Sequence, residues 1–295
     1  MPRTEVEFRS LLVATDVDVL SSRSIVEDRD AYVVVRTPTA PGHYWGNFLL
    51  YREEPRAGDR ERWEADFARE FAEQPTSDHR AFTWDKIAGE TGAIAEFVAA
   101  GYDPDPCVAL VAAPEELVAH SRANGDVEIR PLDPRAGHDE ELWAEVIELQ
   151  IASRDDGHSE ANYRTYVKRR MEDHRARFVS GDGGWFAAVL PDGRIAASCG
   201  VIVTQGRARY QAVNTALKFR RRGIASRLVH DVGRHAVREL GAKQLVIAAQ
   251  VGYHALPLYE SLGFTQRDRG VNVTWWPEAP NAAMHPALTP ATPDG

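Results

Sequence analysis

Apolar and polar positions along this chain follow two periods, separated by turns rich in Gly and Pro. Runs of β-branched and aromatic residues at 31–36 and 46–51, on either side of Thr37-Pro38-Thr39-Ala40-Pro41-Gly42, predict two strands. Over 59–73 the period changes. Trp63, Phe67 and Phe71 recur every four residues among charges, which predicts a helix with a single apolar stripe. A strand at 79–84, a helix at 91–100 stopped by Gly101, and a buried strand at 107–112 follow. Residues 114–125 turn polar and end in Gly125-Asp126, as a connector does.

Beyond the connector the pattern restarts. The spacing predicts a strand at 126–131, helices at 139–151 and 159–175, a hairpin of 185–190 and 196–204 around Pro191-Asp192-Gly193, and a strand at 207–215. A helix over 222–240 carries Ile224, Leu228, Val229, Val232 and Ala236 on one face and ends at Gly241. In the next strand, 244–249, Leu245-Val246-Ile247-Ala248 is apolar on both faces. Strand, helix, strand at this length predicts a right-handed crossover joining parallel strands. A helix at 253–262 and a strand at 271–276 complete the second half. The remainder is rich in Pro and Ala and is expected to be disordered. Two domains are therefore expected, 1–124 and 125–278, with a tail at 279–295.

Composition narrows the class of partner. A formal net charge of -9 argues against nucleic acid and points to a small-molecule protein. The two cysteines, Cys107 and Cys199, lie in different halves, so neither a disulfide framework nor a cysteine metal cluster is expected, and a reducing cytoplasm is. No apolar run approaches the roughly 20 residues of a membrane span, and the first residues lack a signal-like hydrophobic stretch. Lysine occurs only at Lys86, Lys168, Lys218 and Lys243, an arginine bias expected of a high-GC bacterial genome.

The chemistry concentrates where a strand passes into a helix, at Arg220-Arg221-Arg222-Gly223-Ile224-Ala225-Ser226. A helix start leaves N–H groups without internal partners, glycine permits close approach, and the helix dipole and arginines favour phosphate oxygens. Taken alone, the turn reads first as an ordinary helix start with solvated arginines.

This Arg-x-x-Gly-x-Ala turn resembles the signature of the GNAT superfamily of acyl-CoA N-acyltransferases. Further on, Ala255-Leu256-Pro257-Leu258-Tyr259-Glu260-Ser261-Leu262-Gly263-Phe264 is similar to that family's later Asn-x-x-Ala-x-x-Leu-Tyr-x-x-x-Gly-Phe element, with Gly252 in place of its Asn. The resemblance implies an α/β fold, that is, an α+β mixed sheet, here as two tandem GNAT-like domains, each a mixed central β-sheet flanked by helices. It implies an acyl-CoA donor, acetyl-CoA first, and a primary amine of a small molecule as acceptor. By the same resemblance Tyr259 is the general acid that protonates the departing thiolate. Backbone groups of Thr215, Ala216 and Leu217 hold the pantetheine and polarise the thioester. Arg220 to Ser226, with Ala255 and Leu258, complete the cofactor set, and no metal is implied.

The acceptor and the general base are not identified. Glu148, Gln150, Asp155, Asp156, His158 and Glu160 flank the loop between the first two helices of the second half, which lines the acceptor pocket in the family. Asn214 and Gln211 lie on the strand leading to the thioester. For the loop residues a solvated polar group is the leading reading against catalysis, and for Asn214 and Gln211 an ordinary strand polar is equally open. Metalloprotease, nucleophile-elbow and Walker patterns are absent, and His230 and His235 diverge around their helix. A CoA-binding sensor without catalysis remains the alternative, and a homodimer is left open.

The first half echoes the second. Ala93, Gly101 and Tyr102 align with Ala255, Gly263 and Phe264, which sets Phe97 in the position of Tyr259 and Pro55-Arg56-Ala57-Gly58-Asp59-Arg60 in that of the phosphate turn. A degenerate first domain that has lost its site is expected, retained for packing and for covering the acceptor.

Overall fold

The computed structural model describes residues 6–74, 77–154, 160–277 and 288. These divide into two compact units. The first comprises the chain up to Ala109, Ala249–Tyr253 and the chain from Arg267 on; the second comprises Leu110–Ala248 and His254–Gln266.

In the first half of the chain the order is α1 (Leu11–Asp18), β1 (Ile25–Asp28), β2 (Tyr32–Arg36), β3 (Phe48–Tyr51), α2 (Asp59–Glu70), β4 (Arg80–Trp84), α3 (Ile94–Ala99) and β5 (Asp103–Ala112). In the second it is β6 (Glu128–Pro131), α4 (Glu140–Ala152), α5 (Glu160–Val179), β7 (Gly183–Val189), β8 (Ile195–Thr204), β9 (Arg207–Thr215), α6 (Ile224–Glu239), β10 (Gln244–Gln250), α7 (Leu256–Glu260) and β11 (Thr265–Trp275).

The expected repeat is present in the backbone. An antiparallel meander, β1-β2-β3, leads through α2 to β4, which is parallel to β3. Likewise β7-β8-β9 leads through α6 to β10, parallel to β9. The following short helices end identically. Tyr102 N–H donates to the Phe97 carbonyl at 3.0 Å across Gly101 (φ 89°), and Phe264 N–H donates to the Tyr259 carbonyl at 3.2 Å across Gly263 (φ 97°). A left-handed residue after the last turn is what glycine supplies. Phe97 is thus the structural counterpart of Tyr259.

Each unit is built on a mixed sheet. The apolar stripe Trp63, Phe67 and Phe71 is buried in the first unit with Phe82, Trp84, Phe97 and Tyr102. In the second, Ile224, Leu228, Val229, Val232 and Ala236 are at most 1% exposed along α6, the face that the periodicity picked out.

Three features differ from the sequence expectation. β11 begins at Thr265, six residues before the expected strand; its polar start, Gln266-Arg267-Asp268-Arg269, carries no apolar pattern that would announce it. Its length lies in the first unit's sheet, antiparallel to β4 and next to β5, so compactness does not follow chain continuity over 125–278. β5 begins at Asp103, four residues before the expected strand, and carries Pro104 and Pro106; two residues apart, both missing N–H groups fall on one side of the strand. α1 and β1 were not expected at all. The N-terminus of α1 is held by the distant carboxylates of Asp85, which accepts from Arg9 and Ser10 N–H at 2.9 Å each, and Asp268, which accepts from Leu11 N–H at 2.5 Å. The expected tail falls outside the described residues, Leu288 apart.

Candidate active site

β9 and β10 pair only through Arg207–Gln244, Ala208–Leu245 and Arg209–Val246. Past that point the two parallel strands share no ladder, and the C-terminal ends of parallel strands are the place where α/β sheets take ligands. Along its other edge β9 carries a bulge. Ser198 pairs with Asn214 and Gly200 with Gln211, so Ala212 and Val213 together oppose Cys199, and Ala212 takes a left-handed φ of 43°.

The strand then passes through a short 3-10 turn at Leu217–Phe219 into α6, whose N-cap is Gly223 with φ 71°. Gly223 supplies no side chain to cap the first-turn N–H groups, and that turn contains no acidic residue. Arg220, Arg221 and Arg222 are exposed, and no ion pair engages them among the described residues. Phe219, buried beneath, has three cations at its ring: Lys218 at 4.9 Å, Arg194 at 5.3 Å and Arg222 at 5.6 Å from the centroid. Uncapped N–H groups, the positive end of a 16-residue helix and uncompensated guanidinium groups together make an anion site fit for a pyrophosphate.

Other members of the expected cofactor set have defined roles. Ile224 is core, 1% exposed, so only its backbone is free to bind. The Ser226 hydroxyl donates to the Gly223 carbonyl at 2.9 Å, which ties it to the helix. Ala216 N–H donates to the Ala196 carbonyl at 2.9 Å, and the Thr215 carbonyl accepts from Arg220 Nε at 3.3 Å. Leu217 projects into solvent, 70% exposed. The bulge at Ala212 and Val213 offers irregular backbone that no composition signal announced, since both residues are ordinary strand formers. Ala255 is the N-cap of α7, Leu258 is half-buried, and Tyr259 is 4% exposed and close to Tyr210. Gly252 has φ 80° with open space around its missing side chain.

Gly223 answers a packing demand as well. A Cβ there would lie 1.9 Å from the Arg122 carbonyl oxygen, and Asn124 closes the connector onto the turn, its N–H donating to the Gly223 carbonyl at 2.9 Å and its Nδ2 to the Arg222 carbonyl at 3.0 Å.

Of the acceptor candidates, Asp155, Asp156 and His158 lie outside the described residues. Glu148 and Glu160 are exposed and both pair with Arg164, while Gln150 is buried and donates to Met171 Sδ at 3.1 Å. Asn214 fares differently. Its Oδ1, and the Oγ of Ser198 directly across the ladder, are buried with no hydrogen-bond partner. Gln211, one rung away, accepts from Arg170 on α5 at 2.8 Å.

The equivalent turn of the first half is filled from within. Gly58, the N-cap of α2 with φ 83°, donates its N–H to both carboxylate oxygens of Glu96 at 3.0 and 3.2 Å, and Asp59 and Glu61 occupy the first turn. Negative charge already meets the dipole there.

Residues 153–278 match the family model described as acetyltransferase (GNAT) domain. The chain carries a GNAT domain. Among solved structures, the GNAT-bearing chain is similar to a GCN5-related N-acetyltransferase from Kribbella flavida, at 16% identity over 93% of this chain and 98% of that one, with a TM-score of 0.61. A conserved protein of unknown function from Staphylococcus epidermidis gives 14% identity over 88% and 96%, with a TM-score of 0.69. A tandem GNAT protein from the clavulanic acid biosynthesis pathway gives 17% over 86% and 84%, with a TM-score of 0.52. At these identities the likeness is one of fold, and it covers both GNAT-like halves. No curated protein matches the sequence. Among the described residues no group of three metal-ligating side chains is assembled, and no helix is long and apolar enough to cross a membrane.

Proposed function

We propose that the GNAT domain moves an acyl group, acetyl in the first instance, from acyl-CoA to a primary amine of a small molecule by direct attack. The observation that carries this reading is the α6 N-terminus: uncapped N–H groups behind Gly223 and three arginines without counter-ions, on the connection that leaves β9. Bound acyl-CoA supplies an activated thioester. Arg220, Arg221 and Arg222 hold its phosphates by charge-assisted hydrogen bonds, and Ile224 and Ala225 add backbone N–H groups. Backbone groups from the bulge of β9 to Leu217 hold the pantetheine and polarise the thioester carbonyl. Tyr259 holds the proton that the leaving thiolate takes, its ring fixed by burial at 4% exposure.

The first half is, on this reading, a degenerate copy. Glu96 occupies the anion position that acyl-CoA would need, and Phe97 lacks the hydroxyl of its counterpart.

Titrating CoA into Tyr259→Phe and wild-type protein and measuring acyl transfer to an amine panel tests the proposal. Affinity should be retained while turnover falls about 10²- to 10⁴-fold, the range of a general acid; undiminished turnover removes Tyr259 from the mechanism. A non-catalytic CoA-binding sensor is the second reading, favoured by the burial of Tyr259, and it predicts binding with no transfer by the wild type.

A further inference from the structure

One face of the GNAT sheet carries polar chemistry that cofactor binding does not use. On the side of β8 and β9 that faces α4 and α5, Arg170 of α5 is fixed by three neutral acceptors. Its Nε donates to His174 Nε2 at 3.2 Å, its Nη1 to Tyr166 Oη at 2.9 Å and its Nη2 to Gln211 Oε1 at 2.8 Å. His174 is 5% exposed, and burial, then the nearby Arg170 and Arg177, hold its pKa well below the usual histidine range; the ring is neutral and accepts. Among the described residues no carboxylate pairs with Arg170.

A guanidinium has five N–H donors, and the three contacts leave two, enough for a bidentate carboxylate. A half-buried cation held rigid by neutral groups alone is unusual, because partly desolvated charges are normally paired. Other half-buried arginines of α5 obey that rule: Arg164 pairs with Glu148 and Glu160, and Arg175 with Glu140. Gln211, which fixes Arg170, is 4% exposed and immediately precedes the bulge residue Ala212. One rung further along the same face stand the unpartnered Oγ of Ser198 and Oδ1 of Asn214, two acceptors suited to amine N–H groups. Cation and acceptors therefore share a face beside the irregular stretch of β9.

We infer that the acceptor is an amine bearing a carboxylate on the same molecule, its carboxylate bound by Arg170 and its amine directed by Ser198 and Asn214. This rests on the acyl-transfer reading and adds the chemical class of the acceptor to it.

The test uses the full chain with acetyl-CoA and matched sets of amines: amino acids, their carboxamides and their decarboxylated counterparts, read by CoA release. Transfer should favour the carboxylate-bearing member of each set. Arg170→Gln should raise KM for that member about 10- to 100-fold, as expected for lost hydrogen bonds to a charged group, with kcat and CoA affinity largely kept and little change for the uncharged members. Arg170→Lys, which keeps a point charge without the fork, should recover part of the loss. Unchanged CoA affinity in both variants shows that they fold. Equal or better transfer to uncharged amines, or no transfer to the carboxylate-bearing ones while CoA binds, overturns the inference and leaves the cofactor site standing. Failure of the wild type to bind CoA overturns the reading beneath it.

Discussion

At the scale of single residues, Gly223 shows how one position can serve both fold and site. Its φ of 71° favours glycine, and a methyl group would meet the Arg122 carbonyl at 1.9 Å, a backbone atom with little room to yield. Gly223→Ala should therefore lower stability by about 1–3 kcal/mol, the cost of a strained backbone position, and weaken CoA binding through the shifted N–H groups. Chemical denaturation and CoA titration read the two effects separately, and a stable variant with intact CoA affinity would contradict both. The arginines and the glycine could be read as an anion-binding turn from their own chemistry, whereas Tyr259 came into view only through the family resemblance. Arg170 was not. Its significance lies in the absence of a counter-ion and in the contact to Gln211, 41 residues away, and no local pattern encodes that.

At the scale of elements, legibility followed the origin of each element's stability. Helix α6 was predicted over 222–240 and found at Ile224–Glu239, because its apolar face is written at helical spacing. Helix α1 was missed because long-range carboxylates stabilise it where its own period does not. Asp268, 6% exposed, is one of them. Asp268→Ala should leave Leu11 N–H unsatisfied and cost about 1–3 kcal/mol, the penalty of a buried donor without a partner. Hydrogen exchange should show the loss as faster exchange in Leu11–Asp18 and in the adjoining strands, whereas unchanged protection there would assign the anchoring to Asp85 and Ser10 alone. The bulge in β9 was illegible for a different reason: Ala212 and Val213 are sound strand residues, and the two-against-one count arises only when β8 and β9 are set in register.

At the scale of the whole molecule, the duplicated plan sets up a contrast between two N-termini of equivalent helices. Both begin with a left-handed glycine that brings no capping side chain, Gly58 in one case and Gly223 in the other. The dipole attracts an anion to each. In the first half Glu96 already provides it, and Asp59 and Glu61 add repulsion toward any further negative charge. In the second, three arginines stand without counter-ions among the described residues. The degenerate-copy reading then requires one CoA per chain, measured by calorimetry on the intact protein, since β11 from the second half is part of the first unit's sheet and the first half by itself would lack that strand. Glu96→Gln sharpens the test: it removes the internal charge but leaves Asp59, Glu61 and the phenyl ring of Phe97, so the stoichiometry should stay at one. Two sites in the wild type would mean that Glu96 yields to a phosphate, and the first half would then be a second cofactor domain.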